Sequence, residues 1–241
     1  MSEAAVKAVP RRGRFFILAI FALLLFGVSY LVVVVATQEP NDDLIELEGI
    51  EETQRTFGGV RQEGERLGFD DAPVTIQVFN DVQCEACRDD FLETIPPLVE
   101  DRVRSGDVKL LWRNYSNAEN VQQLGFYGAE AAAEQGYLWQ YVYLFFRNQG
   151  EAKVNGVDQE FLETIAAGIS ELDLPTWEAD LEENGGPDGP IAKRLEADEK
   201  LARDLEIRLG QGMVVTGPNG NVTLQEGPSL AEVEQAIAEV E

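Results

Sequence analysis

The chain has 241 residues, 44% of them apolar, enough for one domain with accessory segments or two small domains with a buried core. Its 19 basic and 44 acidic residues leave a net charge of −25, which argues against a general nucleic-acid binder. Histidine is absent and Cys84 and Cys87 are the two cysteines, which excludes Ser-His-Asp and Cys-His nucleophiles, His-ligated metal centres and four-thiolate zinc sites.

Up to residue 36 the chain carries four basic residues and one acidic residue, so residues 37–241 hold a net −28. From Phe15 to Ala36 there is no charged residue. At about 1.5 Å per residue that run is roughly 33 Å long as a helix, enough to cross the hydrocarbon core. The reading is a basic cytoplasmic tail (1–14) and a transmembrane anchor (15–36) embedded in the bilayer, with the rest of the chain extracytoplasmic at the cell membrane. A cleaved signal peptide ending at Val34-Val35-Ala36 is the competing reading; the apolar run is longer than the usual signal core. Both place the bulk of the chain where disulfides persist.

Residues 37–69 are acidic and poor in large apolar side chains, and read as a stalk with a short helix around Leu44 to Thr53. The folded domain is expected over 70–241. Val74 to Phe79 has the β-branched composition of a strand, and after a short loop Cys84-Glu85-Ala86-Cys87 opens a helix whose Phe91, Leu92, Ile95, Leu98 and Val99 recur at helical spacing. Pro96-Pro97 should kink or split that helix. Val108 to Trp112 is a second strand, so the three elements form a βαβ unit with parallel pairing. A helical stretch of about 116–206 follows. It opens at the Ser116-x-x-Glu119 capping box and continues through Tyr137 to Phe146, Gln159 to Ile169, Pro175 to Glu183 and Ile191 to Leu205. Met213 to Leu224 reads as a hairpin turning at Gly217-Pro218-Asn219-Gly220, and Ser229-x-x-Glu232 caps a last helix.

Two thiols three residues apart, where a strand runs into a helix, put Cys84 at the helix N-terminus. There the unpaired N–H groups and the dipole favour thiolate, while Cys87 sits where it can resolve a mixed disulfide. A structural disulfide would close too small a loop to stabilise much. A metal site would need carboxylates or a partner chain to complete it, so no metal is assigned. The remaining alternative is a docking module for a membrane or surface protein, with a CxxC of weak activity.

The segments VTIQVFNDVQCEAC, FLETIPPLVE, VKLLWRNYS and AEAAAEQGYLWQYVYLFFRNQ, in that order, resemble DsbA-like thiol–disulfide oxidoreductases of the thioredoxin superfamily over about residues 68–241. The resemblance implies an α/β thioredoxin fold with a helical insertion between the βαβ unit and the C-terminal hairpin plus helix. It implies Cys84 and Cys87 as the catalytic pair, no cofactor beyond their redox-active disulfide, protein thiols and disulfides as substrates, and a membrane redox partner. Against the family pattern, Glu85-Ala86 stands between the cysteines, and a carboxylate beside Cys84 disfavours its thiolate. Val78 occupies the position of the family's buried glutamate, and Asp81 reads as a loop-capping residue. The family's cis-proline falls on Gln211, within the substrate-binding loop Gly210-Gln211-Gly212. A cis bond before a non-proline residue costs about 2.5–4 kcal/mol, so a trans peptide is expected there.

Overall fold

The computed structural model describes residues 46–116, 124–150, 156–208 and 211–241. Within them the chain runs α1 (Ile50–Phe57), β1 (Gln62–Glu63), β2 (Arg66–Leu67), β3 (Val74–Asn80), α2 (Glu85–Leu98) with a π-helical turn at Val99–Val103, and β4 (Val108–Asn114). The insertion supplies α3 (Leu124–Glu134), α4 (Leu138–Arg147), α5 (Gln159–Ala167), α6 (Leu174–Asn184) and α7 (Pro190–Asp204); β5 (Gly212–Gly217), β6 (Gly220–Gln225) and α8 (Leu230–Val240) complete the chain.

Six strands form one sheet in the order β1-β2-β4-β3-β5-β6. β3 and β4 pair in parallel from Val74↔Val108 to Asn80↔Asn114, whereas β5 is antiparallel to both β3 and β6. This is the expected βαβ unit, helical insertion, hairpin and helix. Alternation drives it: Val108, Leu110, Trp112 and Asn114 are buried on one face of β4, and the residues between them are not. The hairpin turns at Pro218-Asn219 between Gly217 and Gly220, and the Ser229–Glu232 capping box forms with both of its bonds.

The stalk reading is corrected from residue 46 onward. Phe57 and Leu67 are fully buried, and Leu67 pairs with Leu110 of the main sheet. Each such burial stabilises by about 1.5–3 kcal/mol, which favours docking of the segment on the domain. The Arg104 guanidinium adds bonds of 2.9 Å to each of the carbonyls of Arg55 and Thr56 at the C-terminus of α1. The tail, the anchor at 15–36 and residues 37–45 lie outside the described residues, as does the Ser116-x-x-Glu119 box beyond Ser116. Among the described residues no helix is long and apolar enough to cross a membrane.

Pro96-Pro97 does not split α2. Ile95 and Leu98 are fully buried and hold the helix to the core through both prolines, whose missing N–H groups leave two intrahelical bonds unmade. The register adjusts just afterwards: Val99 N–H donates to the carbonyls of both Ile95 and Pro96, and the π-helical turn follows.

The insertion is fastened to the end of β4 by buried polar groups. Asn114 Nδ2 donates to Glu130 of α3 at 2.8 Å, and Asn114 N–H donates to Asp198 of α7 at 3.0 Å. Arg194 meets Glu130 at 2.5 Å and Glu65 at 3.2 Å, and Arg113 lies 3.5 Å from Asp198. Burial pushes the Glu130 carboxyl up to about 7 against the pull of Arg194, and that of Asp198 up to about 6 against the Asn114 N–H and Arg113. A carboxyl whose folded pKa is raised binds its proton longer in the folded state than in the unfolded one. Stability from these groups is therefore fully present below the unfolded value and declines as pH rises through the folded one. Glu130→Gln should flatten the fall in unfolding free energy between about pH 4.5 and 7 by on the order of 2–3 kcal/mol, read by denaturant titration across pH. Parallel wild-type and variant curves would contradict it.

Candidate functional site

β3 ends at Asn80, and the chain turns through Asp81-Val82-Gln83 into α2. Asp81 makes the turn: its Oδ1 accepts the Gln83 N–H at 2.8 Å, and its carbonyl accepts the Cys84 N–H at 3.0 Å. The loop-capping role expected of Asp81 is present, but the side chain is half-buried and its carboxyl is raised by burial, against hydrogen bonds from Ser116 and Gln83.

Cys84 is the N-cap residue of α2, in extended conformation, and Cys87 lies within its first turn. The two sulfurs are joined in a disulfide with the Cα atoms 5.3 Å apart. Their environments differ. Cys84 is half-buried, Glu85 and Ala86 beside it are exposed, and Cys87 is only 1% exposed. An incoming sulfur therefore meets Cys84 first, and a thiolate left on Cys84 would lie at the N-terminus of α2, where the helix dipole favours negative charge.

The substrate-loop candidates lie at the same end of the sheet. Gly212 pairs with Phe79 near the C-terminal end of β3. Gln211 Nε2 donates to Asp90 Oδ2 at 3.3 Å, and Asp90 lies three residues beyond Cys87 on α2. Gly227 closes this corner: it adopts φ +67°, and a Cβ there would overlap the Asp90 carboxylate. Gly210 lies outside the described residues; among those described no peptide bond is cis. Val78 is buried in β3, in register with Met213 and Trp112, so the interior beneath the pair is apolar at that position. Among the described residues no group of three His, Cys, Asp or Glu is placed to hold a metal ion.

Two contacts to the redox loop carried no local sequence signal. Buried Gln149, just past α4, donates through Nε2 to the carbonyl of Val82 at 2.6 Å and of Cys84 at 3.2 Å. Gln83 Oε1 accepts the N–H of Gly125 in α3 at 2.9 Å. Thus the insertion holds the residues on both sides of Gln83. A glutamine just after the aromatic helix α4 and a loop glutamine in an acidic chain look like ordinary polar positions until the long-range contacts are seen.

The family model described as Thioredoxin matches residues 61–198. A protein of Bacillus cereus called "Probable disulfide bond formation protein D" is 26% identical over 174 residues, 71% of this chain and 76% of that protein. The crystal structure of oxidised BdbD from Bacillus subtilis superposes with a TM-score of 0.53 at 20% identity, covering 75% of this chain and 96% of that one. Wolbachia pipientis alpha-DsbA1 gives 0.58 at 16% identity, covering 73% and 89%. At these identities the structural likeness speaks for the fold.

Gln149→Leu leaves the Val82 and Cys84 carbonyls without that donor and should destabilise the oxidised chain by about 1–3 kcal/mol in denaturant unfolding. An unchanged midpoint would show that the amide does not hold the loop.

Proposed function

The chain belongs to the thioredoxin family, and on that premise we propose that it is a thiol–disulfide oxidoreductase, tethered to the cell membrane through residues 15–36 and working outside the cytoplasm on secreted or envelope proteins. The observation that carries this reading is the unequal pair: a disulfide whose half-exposed sulfur, on Cys84, begins a helix and whose other sulfur, on Cys87, is buried. The relatives called disulfide bond formation protein D support the same chemistry.

In the oxidising direction a client thiolate attacks Cys84 Sγ. The Cys84–Cys87 bond breaks, and Cys87 leaves as a thiolate that takes up a proton. A second client thiolate then attacks the client sulfur of the mixed disulfide and releases Cys84 as a thiolate. The client loses two electrons and the pair gains them; a membrane-held disulfide partner restores the oxidised state. The helix N-terminus stabilises Cys84 as the leaving thiolate, which makes it the sulfur readily released from the mixed disulfide. Glu85, exposed at the first helical position, works against that stabilisation through like charge.

Full-length protein should catalyse insulin reduction and oxidative refolding of a reduced client. Cys84→Ser should abolish both, and Cys87→Ser should accumulate mixed disulfides through Cys84. A Cys84→Ser/Cys87→Ser protein that retains the full biological effect would instead favour the docking reading. The reduction potential should be more negative than the roughly −120 mV of a strong oxidant, and Glu85→Gln should raise it by about 10–30 mV. A wild-type value near −120 mV, or no response to Glu85→Gln, contradicts the electrostatic part of the proposal.

A further inference from the structure

The helical insertion contains a cavity of about 1020 Å³ walled by α3, α5, α6 and α7. Its floor is apolar. Leu162 and Trp177 are buried there, and Leu124 and Leu181 are half-buried. The floor is also firm: Trp177 stacks on Tyr141, and its Nε1 donates to the Gly128 carbonyl at 2.9 Å. The rim is anionic, because Glu163, Glu178, Glu182 and Glu199 all line the cavity and no described lining residue is a lysine or arginine, although Glu199 also meets Arg203 of α7 at 3.7 Å, which leaves Glu178 and Glu182 as the centre of the charge. Glu178 and Glu182 stand one turn apart on α6, share a face and repel each other, and α6 contains no basic residue to relieve them. Concave, low-dielectric walls carrying one sign of charge concentrate the field over the opening.

We propose that this cavity binds a cationic amphipathic segment of a client polypeptide, with apolar side chains on the Leu162–Trp177–Leu181 floor and lysine or arginine at Glu178 and Glu182. Charge complementarity selects this occupant. A second copy of this chain carries a net −25, and the chain's own residues 37–45 hold three acidic residues and no basic one, so charge disfavours both at the rim. The position suits a client engaged at Cys84. Leu124 precedes Gly125, whose N–H bonds Gln83, the neighbour of Cys84. Summed along that path Leu124, at one edge of the cavity, lies no more than about 20 Å from Cys84, a span that five or six extended residues cover. The word client rests on the oxidoreductase reading; the binding does not.

The test separates the two. A fluorescein-labelled, cysteine-free 14-residue amphipathic peptide of leucine and lysine is titrated with the full chain, wild type and Cys84→Ser/Cys87→Ser, by anisotropy. Both proteins should bind it, with affinity that falls as salt rises, and the leucine–glutamate counterpart should not bind. Glu178→Lys/Glu182→Lys should weaken binding at least tenfold, as should Leu181→Asp. Asp101→Lys/Glu239→Lys, the same charge change at exposed positions outside the cavity, should leave it within about twofold. Equal losses in the two charge-reversed variants would reduce the effect to general attraction by an acidic surface and overturn the proposal. So would a change of oligomeric state confined to the cavity variants, which would seat a second copy there. A gain in peptide affinity on deleting residues 1–14 would assign the cavity to the chain's own basic tail and equally overturn it. Loss of peptide binding with insulin reduction intact sinks only the cavity; the reverse result sinks only the oxidoreductase.

Discussion

The redox loop is fixed by backbone groups shared between two parts of the chain. From the sheet side, β3 delivers Asp81, whose carboxylate and carbonyl shape the turn that leaves Cys84 as N-cap of α2. From the insertion side, Gln149 and Gly125 hold the carbonyls and side chain around Gln83. Neither part alone satisfies that loop's polar groups, so the position of the sulfur depends on the insertion being docked. Docking in turn relies on Asn114 and its bonds to Glu130 and Asp198, at the end of the strand parallel to β3. Cys84 and the buried carboxylates are thereby linked through the C-terminal ends of the two central strands.

Electrostatics around the pair is acidic and unevenly screened. Asp81 is half-buried with its carboxyl raised, Glu85 is exposed, and Asp90 receives the Gln211 amide. On the proposed reading the helix N-terminus favours a thiolate on Cys84 while the nearby carboxylate at Glu85 opposes it, and the balance would set how strongly the pair oxidises. The Gln211 amide is turned toward α2, where it donates to Asp90. The loop is therefore tied to the redox helix by a side chain, in addition to the register of Gly212 with Phe79.

Much of this was legible in the chain. β3 and β4 announce themselves by β-branched and alternating residues, the final helix by its capping box, and Cys84 as a helix start by the strand before it and the amphipathic run after it. What was not legible is physically specific. β1 and β2 are two residues each and largely polar, and α1 lies in an acidic stretch, so local composition reads as linker; single apolar anchors, Phe57 and Leu67, reverse that through partners far along the chain. The prolines in α2 are tolerated because burial on either side outweighs two missing bonds. Among 44 acidic residues nothing local marks Glu130 and Asp198 as the buried ones, since burial is set by the insertion's packing on β4. Gln149 was invisible for the same reason.

The account rests on the difference between its two sulfurs, and alkylation kinetics read that difference directly. The reduced full-length chain is treated with iodoacetamide across pH, and the modified residue is identified by mass spectrometry. Cys84 should react first, with a thiolate titrating below the ordinary value of about 8.5, while Cys87 stays unmodified until the chain is unfolded. Equal reactivity at both positions with ordinary titration, or modification of Cys87 ahead of Cys84, would contradict it.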